Sequence, residues 1–179
     1  YGLVGSEMCI RDRLYHTQNV EEVLYILQGE GVVQAGGTKH EVKAWDTVYI
    51  PTGTPHTTYS TVENQPLVYM SYAVRTPPDG QETYVKETMM DDRVHSDVLV
   101  GRWTPKKAKP EHNNTCWTYP VFTRDVMQYL LFATMMSVPN ILGYHRHNSE
   151  SIYYVDSGKG FVRVGGQESE VQAGDAVYI

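Results

Sequence analysis

The sequence predicts an all-β protein built from two related domains, and three observations lead to this prediction. Residues 16–50 return at residues 145–179 with a constant offset and no gap. About 16 of the 35 aligned positions are identical, which indicates an internal duplication. Each copy consists of short runs rich in β-branched and aromatic residues, without a useful stretch of helical periodicity. Short strands separated by turns are typical of an antiparallel sandwich or barrel.

The strands and turns follow the same order in both copies. "EVLYILQ" and "SIYYVDS" each end at a Gly-x-Gly sequence, which closes the first strong strand. "GVVQAGG" and "GFVRVGG" come next, and their Gly-Gly pairs suit a tight hairpin turn. "WDTVYI" and "GDAVYI" then supply a further strand in each copy. Every element of one copy therefore predicts its counterpart in the other.

The segments outside the two copies set the expected domain boundaries. The stretch "LVGSEMCIRD" resembles one translated frame of a sequencing adapter, so we expect residues 1–13 to be an artefact and the true N-terminus to lie upstream of Leu14. We assign residues 14–85 to the N-terminal domain and 127–179 to the C-terminal domain. Residues 86–126 are polar and mixed in charge, so they form the predicted connection, with a strand at "SDVLVGRW".

The second copy stops before the counterpart of "PTGTPH", which follows "WDTVYI" in the first copy. We therefore expect a second domain that is incomplete in this chain. The parent gene is expected to continue after Ile179 with Pro-x-Gly-x-x-His, which would supply a further histidine to that domain.

Composition excludes several classes of function. The chain has 179 residues and a net charge of −6, and no stripe of Lys and Arg recurs along it, so nucleic acid and anionic membranes are not expected partners. No apolar run approaches the roughly 18 residues that span a bilayer. The two cysteines, Cys9 and Cys116, form neither a disulfide framework nor a zinc-binding pair. A reducing compartment and a cytoplasmic location are therefore expected.

The histidines and one glutamate suggest a metal site inside the first barrel. Alternate residues of a strand face the same side, so His16 and Gln18 share a face. Glu22 begins the next strand, and His56 follows a turn rich in proline and glycine. Two imidazoles and one carboxylate suit Fe(II) or Mn(II), and the same donor types admit zinc or nickel.

The second copy offers His145 and His147, which would share a face in the same way. A lone histidine on a strand is more often a core or surface residue than a ligand, and His40, His95 and His112 are interpreted in that way. The predicted divalent metal ligands are His16, Gln18, Glu22, His56, His145 and His147. No catalytic residue is identified.

The residues resemble the two sequence motifs of the cupin (RmlC-like, germin-like) superfamily, and the duplication resembles a bicupin. Glu22 is separated from Gly29 by six residues, as the first motif requires, and the segment from Pro51 to His56 matches the second. The resemblance implies two double-stranded β-helix, or jelly-roll, barrels, the second of them incomplete. Trp45 stands where the second motif opens with glycine, and Ser60 stands where it closes with asparagine.

Two further departures concern the ligands. Gln18 occupies the position of the second histidine in the first copy, where it would be a fourth ligand or a donor to a bound water. Ser151 occupies the glutamate position in the second copy. Glu150 is displaced by one residue from that position, so the alternation of a strand turns it to the other face. Because each copy departs differently, we expect only one domain to be catalytic.

Two classes of function stay open. The first is a metal-dependent oxidoreductase, an Fe(II) or Mn(II) dioxygenase that acts with O2 on a small oxygenated or aromatic acid. The pair His145 and His147 without a glutamate resembles the three-histidine iron sites of gentisate-type dioxygenases. The second class is a non-catalytic or isomerase-like cupin that binds a carbohydrate or a small acid. In either case the partner is a small molecule, and association into a homo-oligomer stays open.

Overall fold

The computed structural model describes residues 15–18, 20–75, 82–85, 98–123, 125–127, 130 and 132–179. Regular structure in these ranges is β except for a single 3-10 turn at Pro105–Lys107, which confirms the all-β prediction. The same ranges contain no helix long and apolar enough to cross a membrane. The adapter-like residues 1–13 and the predicted connection before residue 98 lie outside the described residues.

The chain divides into two compact units between Leu142 and Gly143. The first unit contains twelve strands among its described residues. They are β1 (Tyr15–Gln18), β2 (Val20–Gln28), β3 (Glu30–Ala35), β4 (Thr38–Lys43), β5 (Asp46–Ile50), β6 (His56–Ser60), β7 (Val68–Arg75), β8 (Glu82–Val85), β9 (Leu99–Arg102), β10 (Lys109–Glu111), β11 (Cys116–Thr123) and β12 (Phe132–Ser137).

Two antiparallel sheets form the body of the first unit. One has the strand order β4-β3-β6-β1-β8 and the other has the order β7-β2-β5-β9. Alternate residues of these strands bury their side chains in one shared aliphatic core between the sheets. The core residues are Leu24, Ile26, Val33, Ala35, Val42, Val48, Ile50 and Val98. The strand alternation seen in the sequence therefore places one face of each sheet inside.

Glycines permit the tight geometry between the strands. Gly36 and Gly37 have φ values of 55° and 80° in the hairpin between β3 and β4, which matches the predicted Gly-Gly turn. At Gly31, a Cβ atom would lie 2.3 Å from the backbone oxygen of Tyr59 on β6. The second glycine of the Gly-x-Gly sequence is thus required by the close approach of two strands.

A second cluster covers the outer face of β2 and β5. Val23 and Tyr49 pack there against Phe122 of β11 and Met127. β11 belongs to a third sheet with the order β10-β11-β12, while β9 pairs with β5. The expected strand near "SDVLVGRW" is therefore confirmed at β9. Residues 98–123 add strands to the first unit, while the domain boundaries proposed from the sequence stay predictions.

The second unit repeats the local structure of the first copy. Its strands are β13 (Ile152–Tyr154), β14 (Lys159–Val164), β15 (Gln167–Gln172) and β16 (Ala176–Tyr178), and they pair as β13-β16 and β14-β15. Gly158 has the same φ of 87° as its counterpart Gly29. The large side chains of Ile152, Phe161 and Tyr178 are 53%, 68% and 66% exposed. The duplication therefore extends from sequence to backbone, although the second unit buries little.

Candidate metal centre

The first-copy candidates lie on three strands that meet inside the first unit. His16 of β1 and His56 of β6 are direct partners in the antiparallel ladder, and their ring centroids are 4.1 Å apart. Glu22 lies on β2, in the other sheet, and its Oε2 atom is 3.0 Å from His56 Nε2. The structure thus brings together the two histidines and the glutamate that the sequence selected.

The turn before β6 fixes the direction of His56. Gly53 adopts a φ of 75°, and the Thr54 amide donates a hydrogen bond to the Pro51 carbonyl. The His56 ring is buried, with Nδ1 2.9 Å from the carbonyl oxygen of Thr54. A neutral imidazole that donates from Nδ1 to this carbonyl leaves an unprotonated Nε2 directed at Glu22. That tautomer is the one that binds metals through Nε2.

Glu22 is buried, and its two carboxylate oxygens have different surroundings. The Ser71 hydroxyl on β7 donates a hydrogen bond to Oε1. Oε2 faces His56 but has no aligned hydrogen-bond partner among the described residues. Burial by itself would raise the pKa of the Glu22 carboxyl. The close His56 and Ser71 side chains and the nearby His16 outweigh that effect and hold the pKa below its usual value.

The contact between Glu22 and His56 fits a cation-binding centre by its chemistry. An unprotonated Nε2 and a carboxylate oxygen are both acceptors, so they satisfy each other only through a proton or a metal ion. Two imidazole nitrogens and one carboxylate oxygen are suitable donors for a divalent transition metal. In the present arrangement His56 and Glu22 touch directly. In this arrangement, no group of three or more His, Cys, Asp and Glu side chains among the described residues is placed to hold a metal ion.

Gln18 ends β1, where its backbone pairs with Glu82 of β8. Its side chain lies outside the described residues, so its suggested role as a fourth ligand stays a prediction.

The second-copy candidates differ from their counterparts. His145 and His147 are exposed, and the strand expected around them is absent, because residues 141–149 have no regular structure. Their rings still lie together, with centroids 4.9 Å apart, and His145 Nδ1 is 2.9 Å from the Gly143 carbonyl oxygen. In the first copy, β1 is held by β6 and β8, and residues 143–179 contain no counterpart of either strand.

The sequence analysis did not identify the buried, hydrogen-bonded carboxylate of Glu21, next to Glu22 in the chain. Glu21 is fully buried on the opposite face of β2, where it accepts hydrogen bonds from the Tyr49 hydroxyl at 2.7 Å and the Leu130 amide at 2.6 Å. In the second copy, Glu150 accepts the same bond from Tyr178 at 2.7 Å. Glu21 aligns with Glu150 and Tyr49 aligns with Tyr178 between the two copies. This shared pair of residue types was the signal in the sequence that could have revealed the contact. Glu150 precedes β13, so its expected displacement to the other face of a strand stays a prediction.

One protein-family profile matches both copies of the repeated sequence. The profile of the cupin domain family matches residues 11–72 and 135–179, together more than half of the chain. An uncharacterized protein of Methanocaldococcus jannaschii is 53% identical over 36 residues, which are 20% of this chain and 29% of that protein.

Solved structures agree on the fold. A candidate glyoxylate-induced protein from Pseudomonas aeruginosa is 19% identical with a TM-score of 0.63, over 94% of this chain and 58% of its own. Oxalate decarboxylase from Bacillus subtilis is 14% identical with a TM-score of 0.52, over 93% of this chain and 58% of its own. The chain thus spans less than two thirds of each of these relatives. With both repeats covered by one profile and an all-β structure of this kind, the chain belongs to the cupin domain family.

Proposed function

We propose that His16, Glu22 and His56 hold a divalent metal ion in the first unit. The observation that carries this proposal is the buried contact between His56 Nε2 and Glu22 Oε2, in which the carboxylate oxygen has no hydrogen-bond partner among the described residues. A buried acceptor without a donor is costly, and a cation relieves that cost. Fe(II) and Mn(II) suit two histidines and one carboxylate best, while zinc and nickel use the same donors.

We propose further that this centre belongs to a dioxygenase that acts on a small oxygenated or aromatic acid. A bound ion would supply Lewis acidity and, for iron or manganese, electron transfer toward O2. Glu22 cancels one of the two positive charges, and the imidazoles cancel none when neutral. The remaining positive charge favours an anionic substrate. Thr54 and Ser71 would orient His56 and Glu22 for this role through the hydrogen bonds described above.

A second candidate function is a cupin that binds a small acid or a carbohydrate without catalysis. The direct contact of His56 with Glu22 favours it, because a protonated imidazole satisfies the carboxylate without any metal. The two candidates therefore differ first in metal content and only then in turnover.

Metal titration of the purified chain separates the candidates. We expect metal-stripped protein to take up about one equivalent of Mn(II), or of Fe(II) under anaerobic conditions, by elemental analysis and calorimetry. His56→Ala should lose this uptake, whereas His112→Gln, at an exposed turn, should retain it. Stoichiometric uptake by His56→Ala, or no uptake by the wild type, would overturn the proposed centre. Oxygen consumption with a panel of hydroxy acids then tests the reaction.

A further inference from the structure

Two tryptophans form an aromatic pair on the first unit, away from the proposed ligands in the sequence. Trp45 lies in the turn between β4 and β5, and Trp103 follows β9 directly. Their ring centroids are 6.1 Å apart and their planes meet at 86°, an edge-to-face arrangement. Trp45 is 52% exposed, so one indole presents much of its surface to solvent.

The backbone at Trp45 is of a kind that favours glycine. Its φ of 73° lies in the left-handed region, which bulky side chains seldom adopt. The second copy places Gly174 at the equivalent position, with a φ of 95°. The first copy thus keeps a large indole where glycine would be free of strain. Because the side chain is half exposed, burial does not account for it, and such strain is typical of functional sites.

One buried carboxylate links the two chain segments that carry the tryptophans. Asp46 follows Trp45 and is fully buried, and it accepts hydrogen bonds from Arg102 Nε at 2.6 Å and Arg102 Nη2 at 2.8 Å. It also accepts one from the Lys43 amide at 3.0 Å. The turn that carries Trp45 and the strand end that carries Trp103 are therefore joined. The backbone under the two indoles is therefore arranged before a ligand binds, which reduces the entropy lost on binding.

A surface cleft shares Lys43 and Arg102 with this region, while neither indole is among its lining residues. It has a volume of about 470 Å³ and includes Glu30, Glu41, Lys43 and Arg102 in its lining. Lys43 is two residues from Trp45, and Arg102 is the neighbour of Trp103 in the chain. The volume lies within the range of small-molecule sites. Because Arg102 is already paired with Asp46, Glu30 and Glu41 face Lys43 with an excess of negative charge, which disfavours an anionic ligand. The mixture of donors and acceptors suits a neutral ligand with many hydroxyl groups.

We propose that Trp45 and Trp103 form the platform of a binding site for a neutral saccharide. The C–H bonds on one side of a sugar ring carry partial positive charge, which suits the electron-rich face of an indole. Its hydroxyl groups would accept from Lys43 and Arg102 and donate to Glu30 and Glu41, as charge-assisted hydrogen bonds. None of these residues is a proposed metal ligand, so the site does not depend on the metal centre.

Nuclear magnetic resonance of the three indole N–H groups tests the proposal on the metal-stripped full chain. Glucose, xylose, maltose and cellobiose are the probes, and Trp117, 40% exposed on β11, is the internal control. We expect saturable shifts of the Trp45 and Trp103 signals with at least one sugar and no shift of Trp117. No saturable shift with any of the four sugars would overturn the proposal. A response to tetramethylammonium in place of the sugars would overturn it as well, since it would identify a site for cations.

The variant Trp45→Gly separates binding from packing. Glycine relieves the left-handed backbone, so we expect an unchanged or higher Tm together with an affinity for the sugar at least about tenfold weaker. Trp103→Ala should weaken binding in the same direction, and Trp117→Ala should leave it unchanged. An undiminished affinity in Trp45→Gly would overturn the platform. So would a loss of Tm in that variant without a loss of affinity, because the indole would then serve packing alone.

Discussion

At the scale of single residues, Ser71 determines which oxygen of Glu22 stays available. The hydroxyl engages Oε1 and leaves Oε2 directed at His56. We expect Ser71→Ala to weaken Mn(II) binding by about tenfold, because the loss of a residue that orients a ligand commonly costs 10–100-fold. Titration of metal-stripped protein measures this effect, and Ser71→Thr, which keeps the hydroxyl, is the control. Equal affinities of the wild type and Ser71→Ala would contradict the role of Ser71, while the metal centre itself would stand.

We expect His40 to make the first unit sensitive to acid independently of the proposed metal centre. Burial lowers the pKa of its side chain below the usual 6.5, and Nε2 is buried without a hydrogen-bond partner among the described residues. The unfolded chain therefore takes up a proton at a higher pH than the folded chain. Stability conferred by neutral His40 is complete above pH 6.5 and is lost as the pH falls through the lower pKa of the folded state.

We accordingly expect His40→Gln to reduce the fall in Tm between about pH 7 and pH 5. His112→Gln, at an exposed position, should follow the wild-type profile. Thermal unfolding across this range of pH measures both variants. A wild-type profile in His40→Gln would show that another group controls the response.

At the scale of elements, the two copies contain the same glutamate–tyrosine contact in different surroundings. The bond from Tyr49 to Glu21 is buried between β2, β5 and the segment at Leu130, while the bond from Tyr178 to Glu150 is exposed. Removal of a buried donor costs about 1–3 kcal/mol, whereas a surface change usually stays within about 0.5 kcal/mol. We expect Tyr49→Phe to lower the free energy of unfolding by about 1–3 kcal/mol. Tyr178→Phe should lower it by no more than about 0.5 kcal/mol. Urea-induced unfolding provides the comparison, and equal losses would contradict the difference in burial.

The same comparison shows which elements the sequence could predict. The Gly36–Gly37 hairpin and the turn that directs His56 depend on residues within the turn itself, so their glycines and prolines were sufficient signals. The strand predicted at His145 is absent. A strand needs a partner, and the second unit has no counterpart of β6 or β8, which pair with β1 in the first unit. Ser71 could not be predicted, since it reaches Glu22 from outside the repeated segment and contacts it only through the pairing of β2 with β7.

At the scale of the whole molecule, burial is concentrated in one part of the chain. Every described residue whose side chain is buried lies between Tyr15 and Met127, and residues 143–179 contain none. The backbone ladder of β14-β15 is longer than that of β2-β5, but only β2-β5 has a core on both faces. Burial of apolar side chains is the main source of stability, so the two units should differ in local free energy of opening.

Hydrogen exchange followed by mass spectrometry tests this difference on the intact chain. We expect the amides of β2 and β5 to exchange most slowly, because they open only when the first unit unfolds. The amides of β14 and β15 should exchange at least about a hundredfold faster at the same pH, since a hairpin with exposed faces is marginally stable in water. Matching protection of the two strand pairs would contradict this expectation. It would mean that β14 and β15 gain stability from contacts that the described residues of the second unit do not supply.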